Sequence, residues 1–172
     1  MNAFILVIPA VLIRYGLMGF LSKEALERAK FFPPVEGIEK FGYYVYWASM
    51  VGLLVYLLFL NIKLGSFFSY VGLAIYLLGT LLYGKSVVDF SRISEDGVAR
   101  SGLYAFSRNP MYVGFFIYFL GCSILIGSWI YFLILLVSQL SVHLLILAEE
   151  RWCKKQFGKE YRRYMEEVRR YI

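Results

Sequence analysis

Two short stretches of the chain carry residues whose types and spacing could do chemistry. The first is Gly102-Leu103-Tyr104 followed by Arg108-Asn109-Pro110-Met111-Tyr112-Val113-Gly114, a glycine-bounded polar turn that runs into an apolar segment. Pro110 suits the first turn of a helix and Asn109 its N-cap. The free N–H groups after such a cap, with the helix dipole, can hold an anion or a polar ligand. Gly102 and Gly114 permit close backbone approach. The second stretch is Glu149-Glu150, where the last long apolar run ends. At 100° per residue, Gln139, His143, Ile146 and Glu150 fall within about 60° of one another and Glu149 about 80° off that line. A polar stripe on a membrane helix must face protein or a wet cavity. This predicts that the stripe lines a cavity ending in two carboxylates. Plainer readings stay open: an ordinary helix start with an interfacial Arg108 and Tyr112, a solvated helix end in which Glu149 or Glu150 pairs with Arg151 or Lys154, and a hydrogen-bonded core His143.

The elements that must position these residues are apolar. Of 172 residues, 60% are hydrophobic and 19% aromatic, well above the globular average and suited to a chain with many membrane–water boundaries. The length fits a single domain over residues 1–172. Five apolar runs, at about 3–21, 42–60, 67–84, 111–127 and 129–148, each approach the ~20 residues that span a bilayer as a helix. The expected fold is therefore all-α and polytopic, with five transmembrane helices. The last two form a hairpin broken at Gly127-Ser128. The first run lacks a basic leader and a cleavage site and reads as a retained helix. Residues 22–41, with Phe31-Phe32-Pro33-Pro34, read as a connector without chemistry.

Charge fixes the sidedness. Of eighteen basic residues, sixteen fall in 22–41, 85–110 and the tail from 149, Lys63 lies alone on the other side, and Arg14 sits inside the first run. This positive-inside split puts the N-terminus outside and the long loop and C-terminus in the cytoplasm. All twelve acidic residues fall on the same side, so any chemistry faces the cytoplasm. The net charge of +6 points to anionic membrane lipids and not to nucleic acid. Arg14 is either a functional intramembrane charge or a snorkelling one. In the tail, Phe157, Tyr161, Tyr164, Val168 and Tyr171 recur at helical spacing. This predicts an amphipathic C-terminal helix that lies on the membrane or folds back as a lid, with Gly158 allowing the turn. One histidine and two isolated cysteines, Cys122 and Cys153, give no metal-ligand spacing and no disulfide framework.

The joint pattern of Gly102-Leu103-Tyr104, Arg108-Asn109-Pro110-Met111-Tyr112-Val113-Gly114, Glu149-Glu150 and Phe157-Gly158…Glu160-Tyr161 resembles the isoprenylcysteine carboxyl methyltransferase and phospholipid methyltransferase superfamily. Order and spacing match over residues 97–171. The first three runs match only in character. The resemblance implies an integral membrane methyltransferase that uses S-adenosylmethionine on a lipophilic substrate drawn from the bilayer. It implies cofactor contacts at Val98, Ala99, Tyr104, Asn109, Pro110, Met111, Tyr112, Glu149 and Glu150. It places Arg108 toward the reacting groups, which makes Arg108, Tyr112 and His143 the candidate catalytic side chains, with no metal. Asn109 stands where prenylcysteine enzymes have histidine. Those enzymes often carry an arginine just before the acidic pair, and here His143 is the nearest candidate to hold a substrate carboxylate. The third run lacks the G-x-G of the phospholipid N-methyltransferases. Carboxyl O-methylation is the expected reaction, amine N-methylation the alternative. A non-catalytic membrane scaffold or lipid-binding protein is the alternative of another class, and a sterol-reductase-like protein is a third. The acceptor and the oligomeric state are not encoded in any motif.

Overall fold

The computed structural model describes residues 1–92 and 98–171. Among these residues the regular structure is helical. Four helices are long and apolar enough to cross a membrane: α1 (Ala3–Leu21), α3 (Ile38–Phe59), α4 (Phe67–Ser91) and α6 (Trp129–Glu167). A fifth apolar helix, α5 (Pro110–Ile126), is shorter at 17 residues, about 25 Å of axis at 1.5 Å per residue. The chain is an integral membrane protein. A broad set of apolar side chains, among them Phe20, Phe41, Tyr44, Phe59, Phe67, Leu81, Trp129 and Leu140, points away from the core; water would penalise that surface and lipid would not.

Local sequence explains where the helices begin and end. Asn2 caps α1 by accepting the Phe4 N–H at 2.9 Å. The middle of α1, Leu12–Leu17, is wound as a π-helix and carries Arg14; such insertions are rare and often mark functional positions. Ser66 and Ser69 form a reciprocal capping box at the start of α4, and Ser128 caps α6. α5 starts with Pro110 and ends at Gly127 in the left-handed region (φ 62°), which only glycine adopts at little cost.

The tightest seam joins α4 and α5 in antiparallel fashion. Gly72 and Gly79 on α4 and Gly114 and Gly121 on α5 recur at seven-residue spacing and let the two backbones touch. A Cβ on Gly114 would stand 2.7 Å from the Tyr83 backbone nitrogen. Close approach of small residues is the main source of helix association where lipid removes the hydrophobic term. Tyr76 and Tyr118 lie in this seam, and both donate to the Leu6 carbonyl of α1. Gly114→Ala is therefore expected to cost about 1–3 kcal/mol, because the obstacle is backbone and cannot rotate away; thermal unfolding in detergent measures it.

Three expectations change. α5 and α6 are joined by the tight Gly127-Ser128 turn, but the main partner of α5 is α4 and that of α6 is α3; glycine matching outweighs adjacency in the chain. The connector 22–41 is not featureless. Ser22 caps a helix α2 (Lys23–Lys30), with its hydroxyl accepting the Ala25 N–H, and the helix stops before Pro33-Pro34. The tail is a continuation of α6 across a bend at Gly158 (φ 56°). Its apolar stripe faces protein: Tyr161 and Tyr164 are buried with Val98, against Cys153, Phe157, Met165 and Val168. The fold-back alternative is the one the structure adopts.

Candidate active site

The Arg108 turn is held by the end of α4. Asp89, 1% exposed, accepts the Leu103 N–H at 2.8 Å and the Lys85 ammonium. Gly102 (φ 62°) lies directly against that carboxylate, where any Cβ would collide with it. From there a 3-10 turn, Gly102–Ala105, drops Tyr104 into the interior. Burial pushes the Tyr104 phenol well above its usual range, so it stays neutral. Of the motif match expected over residues 97–171, position 97 lies outside the described residues, and the turn is described from Val98 onward.

The tail closes over this turn. The Arg108 N–H donates to the Arg169 carbonyl at 2.9 Å, the Asn109 amide to the Arg170 carbonyl at 3.0 Å, and the Tyr164 hydroxyl to the Tyr104 carbonyl at 2.6 Å. Asn109 occupies the N-cap position, but its side chain serves the tail and does not cap α5. The Arg108 guanidinium is 7% exposed. It donates to Glu150 Oε1 at 2.8 and 3.2 Å and to the carbonyls of Met165 and Val168 at 2.9 and 2.6 Å. Arg170 completes the set on Glu150 at 3.0 and 2.8 Å. Those hydrogen bonds raise the Arg170 guanidinium above its ordinary value.

The two adjacent glutamates thus have different partners. Both oxygens of Glu150 are taken by two arginines. Glu149 accepts only the Tyr112 hydroxyl, at 2.7 Å, and forms no ion pair among the described residues. It faces a cavity of about 730 Å³. Val98, Ala99, Tyr104, Arg108, Asn109, Met111, Tyr112, Glu149 and Glu150 all line that cavity. Pro110 does not, and neither do Gln139, His143 and Ile146. The predicted polar stripe on the last helix is displaced, because the residues of α6 that reach the cavity are Glu149, Glu150, Trp152, Cys153, Phe157, Tyr161 and Tyr164. His143 is seated instead against the tail, its Nδ1 2.7 Å from the Tyr171 hydroxyl.

The other wall comes from segments the sequence left without a role. Arg14 reaches in from the π-wound part of α1, with its guanidinium donating to the Ala29 carbonyl and to Met111 Sδ. Arg28 of α2 lies 5.0 Å over the Phe90 ring and donates to the Phe90 carbonyl at 3.3 Å, while its buried Nε has no partner. Burial lowers the Arg28 guanidinium from its ordinary value. Neither Arg14 nor Arg28 forms an ion pair with a carboxylate among the described residues. Phe32, Tyr46, Trp47 and Trp152 supply aromatic faces, with Phe32 packed on Trp47 at 5.9 Å and Phe31 on Trp152 at 5.1 Å. The cavity is therefore largely apolar and aromatic, with one carboxylate and two guanidiniums that are in no ion pair among the described residues. Such a site suits a ligand set that carries both charges together with an apolar body.

The family model described as phospholipid methyltransferase matches residues 68–160, which run from the start of α4 to just past the Gly158 bend. A protein-S-isoprenylcysteine O-methyltransferase of Schizosaccharomyces pombe is 34% identical over 83 residues, covering 48% of this chain and 35% of that protein. The chain thus matches about a third of that relative's length. No solved structure matches.

Proposed function

Because the chain belongs to the phospholipid methyltransferase family, we propose that it is a membrane methyltransferase that takes its methyl group from S-adenosylmethionine and places it on a carboxyl oxygen of a lipophilic acceptor. The observation that carries this reading is Glu149, a carboxylate that faces an aromatic-lined cavity and forms no ion pair among the described residues. A half-buried carboxylate in that state suits a cationic ligand, and the aromatic faces beside it favour one. When bound, S-adenosylmethionine supplies an electrophilic methyl on a sulfonium centre. Glu149 and the neutral hydroxyls of Tyr112 and Tyr104 set the field around it. The residues Val98, Ala99, Asn109 and Met111 shape its bed. Transfer between two bound partners gains most from proximity, alignment and exclusion of water. The tail, seated by Arg108, Glu150 and Arg170, closes the polar side of the cavity. Arg108 is thereby a positioning residue, and Tyr112 is the candidate side chain nearest the chemistry.

Carboxyl transfer is favoured over amine transfer by Arg14 and Arg28. Two guanidiniums without carboxylate partners suit an acceptor with an oxyanion and would repel a protonated amine. Phe32, Tyr46, Trp47 and Met50 offer an apolar bed for the acceptor's lipid part. We further propose that α5 completes five crossings, with the N-terminus outside. The basic loops, the tail and the cavity mouth then face the cytoplasm. Titration calorimetry of S-adenosylmethionine into detergent-purified protein is the test, and saturable binding in the micromolar range is expected. No heat in detergent and none in lipid nanodiscs would overturn the reading in favour of a non-catalytic scaffold.

A further inference from the structure

A second cavity, of about 520 Å³, lies at the far end of the bundle from Glu149. It forms where the turn between α3 and α4 meets the turn between α5 and α6. The Lys63 N–H donates to the Leu125 carbonyl at 2.9 Å, which ties the two turns together, and the Ser69 hydroxyl donates to the Lys63 carbonyl at 2.8 Å within the first of them. The Lys63 ammonium makes one long hydrogen bond, 3.3 Å to the Gly127 carbonyl, and no ion pair among the described residues. The N-termini of α4, at Ser66, and of α6, at Ser128, open into the same pocket, so two helix dipoles add their positive ends to that charge. Ser123 also lines it. This residue is only 5% exposed, and its hydroxyl has no hydrogen-bond partner among the described residues. The hydroxyl opens onto the pocket and is free to donate to a ligand there.

The remaining walls are apolar and turned to the bilayer: Phe68, Leu120, Ile124, Trp129 and Phe132. Trp129 and Phe68 are 80% and 69% exposed, as aromatic side chains at a membrane–water boundary are. We infer that this pocket binds the phosphodiester headgroup of a membrane phospholipid, with Lys63, Ser123 and the two helix N-termini on the phosphate and Phe68, Trp129 and Phe132 beside the acyl chains. The bilayer supplies that ligand at high local concentration, and no carboxylate of the described residues competes for Lys63.

Native mass spectrometry of the detergent-purified full chain tests this, with phosphatidylglycerol and a diacylglycerol of the same chains as probes. Phosphatidylglycerol is expected to bind and diacylglycerol not. Lys63→Gln is expected to weaken the first bound phosphatidylglycerol about fivefold, the worth of one basic side chain at a lipid surface. Ser123→Ala is expected to weaken it to a smaller degree, and Lys63→Arg to retain it. Lys155→Gln, an exposed charge at the other end, is expected to change nothing. Equal binding of diacylglycerol, an unaltered Lys63→Gln, or an equal loss in Lys155→Gln would overturn the inference. Displacement of the lipid by inorganic phosphate alone would overturn it in favour of a free-anion site.

Discussion

Glu149→Gln is expected to weaken S-adenosylmethionine binding by more than tenfold while leaving the fold intact. The substitution keeps the shape of the side chain and an oxygen for the Tyr112 hydroxyl, whose 2.7 Å bond survives as a neutral one. Only the charge is lost. A hydrogen bond or contact to a charged group is worth about 1.5–3 kcal/mol, and each 1.4 kcal/mol is tenfold in affinity. No neighbouring carboxylate can compensate, since both oxygens of Glu150 are held by Arg108 and Arg170. Tyr104→Ala is expected to weaken binding to a similar degree by a different route. It empties a buried position against which Phe90 packs at 6.1 Å and loosens the turn that presents Asn109 and Met111. Calorimetric titration of both variants, with unfolding followed in parallel, separates the routes: Glu149→Gln should melt with the parent and Tyr104→Ala below it. Unchanged affinity in both variants would remove the cofactor role from this end of the cavity.

The contrast between neighbouring glutamates shows how far the sequence can be read. A helical wheel places Glu149 and Glu150 on one end of one helix, and both do line the cavity. It cannot say which one is neutralised, because the deciding partner, Arg170, arrives from beyond the Gly158 bend. The same wheel put His143 with Glu150, yet the face of α6 that meets the cavity runs through Glu149 and Cys153, and His143 is bonded to Tyr171 of the returning tail. The motif turn was legible because its chemistry is local: Gly102 for a left-handed position, Pro110 for a helix start. The opposing wall was not, because Arg14, Arg28, Phe32 and Trp47 come from α1, α2, the Pro33-Pro34 connector and α3, which share no spacing with the motif. The one available signal was Arg14, a charge inside an apolar run, and its π-wound setting has no mark in the sequence. The apolar runs themselves read well, since length and hydropathy are bulk properties. Their pairing did not, because it depends on glycines seven residues apart on two helices.

Glu150→Ala is expected to have the largest effect on stability, about 3–5 kcal/mol, the usual consequence of removing one partner from a buried ion pair. Glu150 is 3% exposed and Arg108 7%. Removing the carboxylate leaves Arg108 with only the Met165 and Val168 carbonyls, a buried cation without an anion. Arg170 loses both of its side-chain bonds to Glu150 as well. The tail should then leave the turn, breaking the Arg169 and Tyr164 contacts to Arg108 and Tyr104, and its helix should fray, so that trypsin can cut at Arg162 and Arg163, which are exposed but held in helix in the parent. Two readouts follow: a lower melting temperature and faster cleavage in the segment after Gly158. Glu150→Gln should fall between the parent and Glu150→Ala, since the amide oxygen still accepts from a guanidinium. If Glu150→Ala were cut no faster than the parent, the tail would be held by its aromatic cluster around Tyr161 and Tyr164, and the charge cluster would be a consequence of docking and not its cause. If cleavage rises while Glu149→Gln alone loses the cofactor without becoming more sensitive, the adjacent glutamates have separate tasks: Glu149 meets the ligand, and Glu150 keeps the door over it shut.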